Sequence, residues 1–249
     1  VRKIRLVLAI MTLILILPAA SWAVGLEVAV GIWKQGPSGT LAFEGDELDL
    51  GADFGIDSNE SRMMVRAKLD MPGLIPNVYL MGTKMNFNGE STEKYTFGGY
   101  DYEFITKTTL ELDHYDIALY YAAPFVDTVS GGTLNIELGL NVRLIEIFIE
   151  ASEALTGHVE SESITAAIPM LYGGIQIRPT DAFGIEFEGR GISISGNDYF
   201  DAIARVKIKP TSLMFMAAGY RYEKISIDEG DTVIDLTFEG PFLEAGIEF

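Results

Sequence analysis

The chain has two histidines and no cysteine, so residues able to do acid–base or nucleophilic chemistry are few. His114 stands in "LDHYD", flanked by Asp113 and Asp116. A carboxylate beside an imidazole can activate water, and the same pairing also serves structural hydrogen-bond networks. His158 stands in "LTGHVESES" with Ser161 and Ser163 close by, a combination that could serve ester hydrolysis. The Gly-x-Ser-x-Gly elbow that would expose such a serine is absent. The segment "FEGDELDLGADFGIDSNE", residues 43–60, carries Glu44, Asp46, Glu47, Asp49, Asp53, Asp57 and Glu60. Hard divalent cations want several carboxylate oxygens, but this spacing is not that of an EF-hand loop, and a solvated acidic loop accounts for it as well. Without thiols, neither a disulfide framework nor a thiolate metal site is possible. The sequence specifies no cofactor and no metal, and the reading it favours is not an enzyme.

The elements that position these residues begin after a leader. Residues 1–5, "VRKIR", are basic, residues 6–17, "LVLAIMTLILIL", are apolar, and "PAASWA" follows. Ser21 and Ala23 are small residues at the −3 and −1 positions of a cut before Val24, the order of a secretory signal peptide over 1–23. An uncleaved helix would have roughly the 20 residues needed to span a bilayer, but Pro18 and the small residues after it oppose that. Residues 24–249 then form one domain with 15 Lys and Arg against 36 Asp and Glu, a formal charge of −21. So acidic a balance excludes nucleic acid as a main partner.

Within 24–249 apolar residues recur with period two, the mark of a strand with two unlike faces. "LNIELGLNVRL" sets Leu134, Ile136, Leu138, Leu140, Val142 and Leu144 against Asn135, Glu137, Gly139, Asn141 and Arg143. Ten such runs are expected, at 25–33, 61–71, 77–88, 108–123, 133–148, 163–178, 183–194, 198–209, 213–227 and 233–249. Links after even-numbered runs are compact ("PGLIP", "APFVDTVSGG", "RPTDA", "KPTS"). Links after odd-numbered runs include long ones, at 34–60, 89–107 and 149–162. That alternation implies an all-β fold, a transmembrane antiparallel up-and-down β-barrel of about ten strands with two unlike ends. Eight strands remain possible if one hairpin lies outside the membrane. Residues 38–46 could extend the wall outward or fold inward as a plug.

A sheet in lipid must close and leave no edge, so the last strand is expected to pair with the first. Leu243, Ala245, Ile247 and Phe249 form its outward, barrel-closing face, which a barrel-assembly machinery would engage. Tyr115, Tyr121, Tyr220 and Tyr222 suit an interfacial girdle. A soluble barrel would instead bury the apolar face. Placing the polar face inward gathers a lumen charge network of Arg62, Arg66, Lys68, Lys84, Asp116, Glu137, Arg143, Glu186, Glu188, Arg190, Asp201, Arg205, Lys207, Arg221 and Glu223. Glu27, Asp70, Glu244 and Glu248 would join it. A near-balanced set suits an enclosed interior, where a lone ion is costly. Two segments break phase. Ile234, Leu236 and Phe238 oppose the parity of Leu243, Ile247 and Phe249, which a bulge at Gly240–Pro241 would repair. "EIFIE" at 146–150 would emerge above the membrane.

"GIWKQGPSGT" (31–40), "LDHYDIALYY" (112–121), "IPMLYG" (168–173), "GISISGN" (191–197), "GYRYEK" (219–224) and "FEGPF" (238–242) resemble a family of small, uncharacterised bacterial outer-membrane β-barrel proteins. The resemblance implies one barrel in the outer membrane, with lipid as its partner, and no activity. Ten strands lined with Arg and Glu would leave a narrow lumen. The role expected is structural, adhesive or envelope-supporting, then a narrow channel for small or amphipathic solutes, then a hydrolase.

Overall fold

Strands placed in hydrocarbon must find backbone partners on both sides, and this chain does so by closing on itself. The computed structural model describes residues 25–229 and 232–249; the expected leader, 1–23, lies outside them. In order, the elements are β1 (Gly25–Phe43), β2 (Glu47–Asp49), β3 (Glu60–Asp70), β4 (Asn77–Thr83), β5 (Asn86–Ser91), β6 (Tyr95–Phe97), β7 (Tyr100–Tyr102), β8 (Thr106–Ala122), the short helix α1 (Val126–Ser130), β9 (Leu134–Glu153), β10 (Val159–Thr180), β11 (Phe183–Ile194), β12 (Asn197–Ile208), β13 (Met214–Glu229) and β14 (Thr232–Glu248). β4 and β5 continue one line along β8, since Thr83 faces His114 and Asn86 faces Glu111. The wall therefore has ten antiparallel lines, not eight. β14 pairs with β1 from Glu27↔Glu248 to Phe43↔Thr232. Leu26 and Phe249 exchange backbone hydrogen bonds of 2.7 and 3.0 Å, so closure runs to the last residue.

Two of the expected long links are shorter. β1 continues through residues 38–43, and β9 and β10 fill most of 149–162, leaving 154–158 as the connection. The reason lies in polarity. On each wall line the outward side chains change from apolar to polar within one step: Ile32 to Lys34, Gly82 to Lys84, Tyr115 to Asp113, Leu144 to Glu146, Phe200 to Asp198 and Tyr222 to Lys224. At the same level the inward face changes the opposite way. On β9 buried Arg143 gives way to Ile145 and Ile149; on β8 His114 gives way to Leu112 and Leu110; on β13 Glu223 gives way to Ile225. Below this level the strands are dressed for lipid, and above it for water. "EIFIE" keeps its register against β10 throughout; only its surroundings change.

The same inversion corrects the reading of the last strand. Ile234, Leu236, Phe238, Phe242 and Glu244 all point inward, and no bulge interrupts them. Trp33↔Phe242 and Gly36↔Glu239 keep one offset on the β1 side, and Tyr220↔Pro241 with Arg221↔Gly240 keep one on the β13 side. Gly240 serves close approach instead. Its φ is 155°, a Cβ there would lie 1.9 Å from the Lys34 carbonyl oxygen, and its own carbonyl accepts the Trp33 indole N–H at 3.2 Å.

The upper mouth is roofed. Leu48, Leu50, Phe54 and Ile56 from the acidic segment, with Tyr95, Phe97 and Tyr102 from the β6–β7 hairpin, join the inward aliphatics in one buried cluster. Phe54 meets Tyr95 and Phe97 edge-on at 5.4 and 5.8 Å, and Phe87 stacks on Phe238 at 5.3 Å. Residues 38–43 thus extend the wall, while those after them cover it.

Gly240→Ala should lower the temperature at which the folded, fast-migrating gel band converts to the unfolded one. Gly189→Ala, where a Cβ meets open space, should leave it unchanged. Equal behaviour of the two variants would refute the close-approach role.

Candidate functional site

The lumen below the inversion level holds the densest polar chemistry in the molecule. At the closing seam Glu27 and Glu248 face each other, and like charges directly opposite destabilise a sheet. Lys207 resolves this, its Nζ lying 2.5 Å from Glu27 and 2.6 Å from Glu248. Lys209 adds a 3.0 Å contact to Glu248. Arg66 reaches from β3 to Glu27 and, at 2.7 Å, to Glu244. Arg205 joins Glu244 at 3.1 Å to Glu188.

Beside this group, Lys68 lies 3.0 Å from Glu137 and 3.6 Å from Glu188, with the rings of Tyr79 and Tyr120 at 5.0 and 5.5 Å. Glu137 also accepts hydrogen bonds from the Tyr172 hydroxyl (2.8 Å) and the Gln176 amide (2.7 Å). The top tier centres on Asp201, which meets three guanidinium groups: Arg143 at 2.5 Å, Arg221 at 2.8 Å and Arg190 at 3.6 Å. Arg143 also holds Asp116 and Glu223, each at 2.9 Å. Arg221 donates to the Thr83 hydroxyl at 2.8 Å and lies under Trp33, 4.5 Å from the ring. Planar guanidinium forks suit such multi-carboxylate sites better than point-charge ammonium groups do.

Thirteen of the fifteen expected network residues meet here: Arg66, Lys68, Asp116, Glu137, Arg143, Glu186, Glu188, Arg190, Asp201, Arg205, Lys207, Arg221 and Glu223 are all buried. Two are not part of it. Lys84 lies between inward Thr83 and Met85, so its side chain points outward and pairs with Asp113 on the neighbouring line. Arg62 has lumen parity but sits past the last β3–β4 pair, Met64↔Thr83. It turns into the seam, donating to the Asn86 carbonyl at 2.7 Å and pairing with Glu60 at 3.2 Å. Leu243, Ala245, Ile247 and Phe249 face outward, as do the girdle tyrosines 115, 121, 220 and 222. Sequence reasoning missed Trp33, Tyr79, Tyr120, Tyr172 and Tyr199. The signal was parity: Tyr120 shares a face with Asp116, and Tyr199 with Asp201.

His114 is fully buried. Its Nε2 lies 3.1 Å from Arg221 Nη2, and a guanidinium only donates, so Nε2 accepts; Nδ1 then carries the proton and donates to the Leu112 carbonyl at 3.1 Å. Both nitrogens are engaged. Asp113 faces away, and Asp116 is held by Arg143 and by Asn141 at 2.7 Å. The geometry therefore assembles no Asp–His pair around a water. His158 stacks on Tyr100, ring centres 3.5 Å apart, and its Nε2 lies 3.1 Å from Glu160. Ser161 and Ser163 lie on the exposed outer face of β10.

The acidic segment uses its carboxylates as local staples. Asp49 accepts the N–H groups of Gly51 and Ala52, Asp53 that of Asp49, and Asp46 that of Thr96. Among the described residues, no three His, Asp or Glu side chains converge as metal ligands do. In the roof, Glu153 accepts the backbone N–H groups of Glu103 and Phe104 and the hydroxyl of Thr156. Those bonds, the Thr156 hydroxyl first, hold its carboxyl below the ordinary carboxylate value.

A closed ten-line antiparallel wall, apolar toward lipid and ion-paired within, defines a bacterial outer-membrane β-barrel, and this protein is one. Among solved structures it is similar to the outer membrane protease OmpT of Escherichia coli, with a TM-score of 0.51 and 9% identity over 93% of this chain and 99% of that one. It is also similar to Ail, the attachment invasion locus protein of Yersinia pestis, with a TM-score of 0.40 and 11% identity over 91% and 99% of the two chains. No family model matches the sequence, and no curated protein matches it. At 9% identity the likeness to OmpT is one of fold.

Arg143→Met removes the one guanidinium shared by Asp116, Asp201 and Glu223, and breaking a buried pair costs about 3–5 kcal/mol. Urea unfolding in detergent micelles should show a loss of that order. Adding Glu223→Gln should restore part of it, because an excess negative charge goes. Strict additivity of the two changes would refute the coupling.

Proposed function

We propose that this protein is a non-conducting barrel whose work is done at its outer surface, in a structural or surface-interaction role in the envelope. The observation that carries this is the double obstruction of the lumen. Trp33, Tyr79, Tyr120, Arg143 and Arg221 are each no more than 1% exposed, so side chains fill the cross-section. Above them stands the aromatic roof. Eight-stranded barrels are filled in the same way, whereas aqueous porin channels need about 16 strands. An ion entering this lumen would have to separate pairs that are satisfied only by one another.

The roof supports the second half of the proposal. It is an ordered surface with its own core, and the carboxylates of Glu44, Asp46, Glu47, Asp49 and Asp57 stand exposed around it. A mere lid would not require so much buried apolar area. No catalytic role is proposed for His114, whose two nitrogens are already committed.

In planar bilayers the purified protein should give no steady unitary current. A defined, reproducible current would overturn this reading in favour of a narrow solute channel.

A further inference from the structure

The upper half of β10 is an edge. β10 and β11 are paired only from Leu171↔Gly191 downward. Beyond that point β10 continues to Val159 with β9 as its one neighbour among the described residues, while the β11–β12 hairpin turns at residues 195–196. The hydrogen-bonding phase of β10 is fixed from both ends. Glu153 donates to the His158 carbonyl at 2.9 Å and Arg178 to the Thr133 carbonyl at 2.7 Å, and the register against β9 is unbroken between them. Even-numbered residues of β10 therefore bond to β9, and odd-numbered ones turn their N–H and C=O groups to the other side. Val159, Ser161, Ser163, Thr165 and Ala167 meet no strand there among the described residues. Pro169, which has no N–H, ends the row, as a proline on an unpaired edge can. From Thr165 upward the outer face of β10 is polar, so this part of the edge stands in water.

Unpaired N–H and C=O groups repeating every second residue are a template for an extended backbone. The row from Val159 to Ala167 is about 27 Å long. What lies on each side specifies the side chains such a backbone would carry. Inward, the edge borders an apolar cavity lined by Ile147, Ile164, Ile225 and Leu236. Ile164 faces inward yet is 44% exposed, because no strand lies beside it. Outward, Glu150 neighbours Ser161 across the ladder. Asp228 stands exposed on the far bank, past the last β12–β13 pair, Asp198↔Ser226. Lys224 on that bank is taken up by Asp235 at 3.0 Å. We propose that this edge receives an extended segment of a partner protein, antiparallel to β10, with apolar side chains inward and lysines or arginines outward. A second copy fits worse. Two barrels side by side in one membrane are related by an axis along its normal, which sets β10 parallel to its twin. The proposal rests on the surface-interaction reading above and names the partner class. Peptide binding and bilayer current are separate readouts, so either can fail alone.

The test uses the folded protein in phosphatidylcholine nanodiscs and a fluorescent nine-residue peptide of alternating lysine and valine, with empty nanodiscs as the baseline. In an antiparallel pair, residues opposite the odd positions of β10 share its outer face. A peptide N-methylated on its valines keeps the lysine N–H groups and should bind, as read by anisotropy. Methylation on the lysines instead would force them inward, and should weaken binding at least tenfold. A glutamate–valine peptide methylated on its valines should also bind at least tenfold more weakly. Ser163→Pro removes one donor from the middle of the row and should cost a similar factor; Ser161→Pro serves if that variant does not fold. Absence of binding, or equal binding of the two methylated lysine peptides, would overturn the proposal. Disulfide-linked dimers of Ser163→Cys, in a chain with no other cysteine, formed without peptide, would overturn it in favour of a second copy.

Discussion

Hydrocarbon offers no hydrogen bonds, and every other feature of this barrel follows from that. A strand crossing it must be paired on both sides, which forces closure of β14 on β1. Closure creates an inside. Because the outside must be apolar, the period-two alternation delivers the polar half of each strand into that inside. Water is largely displaced there by side-chain bulk, so the ions must satisfy each other. Below the inversion level the buried set is seven cations against seven carboxylates: Arg66, Lys68, Arg143, Arg190, Arg205, Lys207 and Arg221 against Asp116, Glu137, Glu186, Glu188, Asp201, Glu223 and Glu244. The chain as a whole carries a formal charge of −18, so the excess negative charge lies outside this interior.

Much of this was legible in the sequence, because alternation and parity are local. The ten lines, the closing strand and most of the charge network could be read from period two alone. What alternation cannot report is height. Lys84 obeys the pattern of a polar residue in a strand, yet it stands at the level where polar side chains turn outward. Arg62 has the correct parity, but the neighbouring strand β4 ends before reaching it. Both errors assume one rule along the whole strand.

The same blind spot explains the phase breaks. "EIFIE" and the Ile234–Phe238 stretch looked like register faults because their apolar residues oppose the parity of the lipid belt. In space each side chain keeps its face, and the solvent beyond the wall changes from lipid to water. A strand that leaves the membrane reverts to the ordinary arrangement of a soluble sheet, greasy inside and polar outside. A bulge would move the backbone to suit the side chains; here the side chains were chosen to suit a straight backbone. Likewise His114, the residue whose neighbours most suggested chemistry, sits at the level where the ionic and aliphatic layers meet. Its neutral ring accepts from Arg221 on one side and donates to the Leu112 carbonyl on the other, joining the two layers without adding charge to either.

That layering bears on why the wall can afford an open seam at all. An unpaired edge within the ionic tier would admit water to groups that are stable only when dry, and it would loosen Asp201, on which three guanidinium groups depend. The seam between β10 and β11 opens above Leu171 and Gly191, where the inward faces are already turning aliphatic. There the inward faces carry aliphatic side chains and none of the ions of the lower tier, so the edge leaves the charge network untouched. The roof covers these inward aliphatics from above with Phe97 and its neighbours. The wall is complete where ions need it and incomplete where only apolar surface lies behind it.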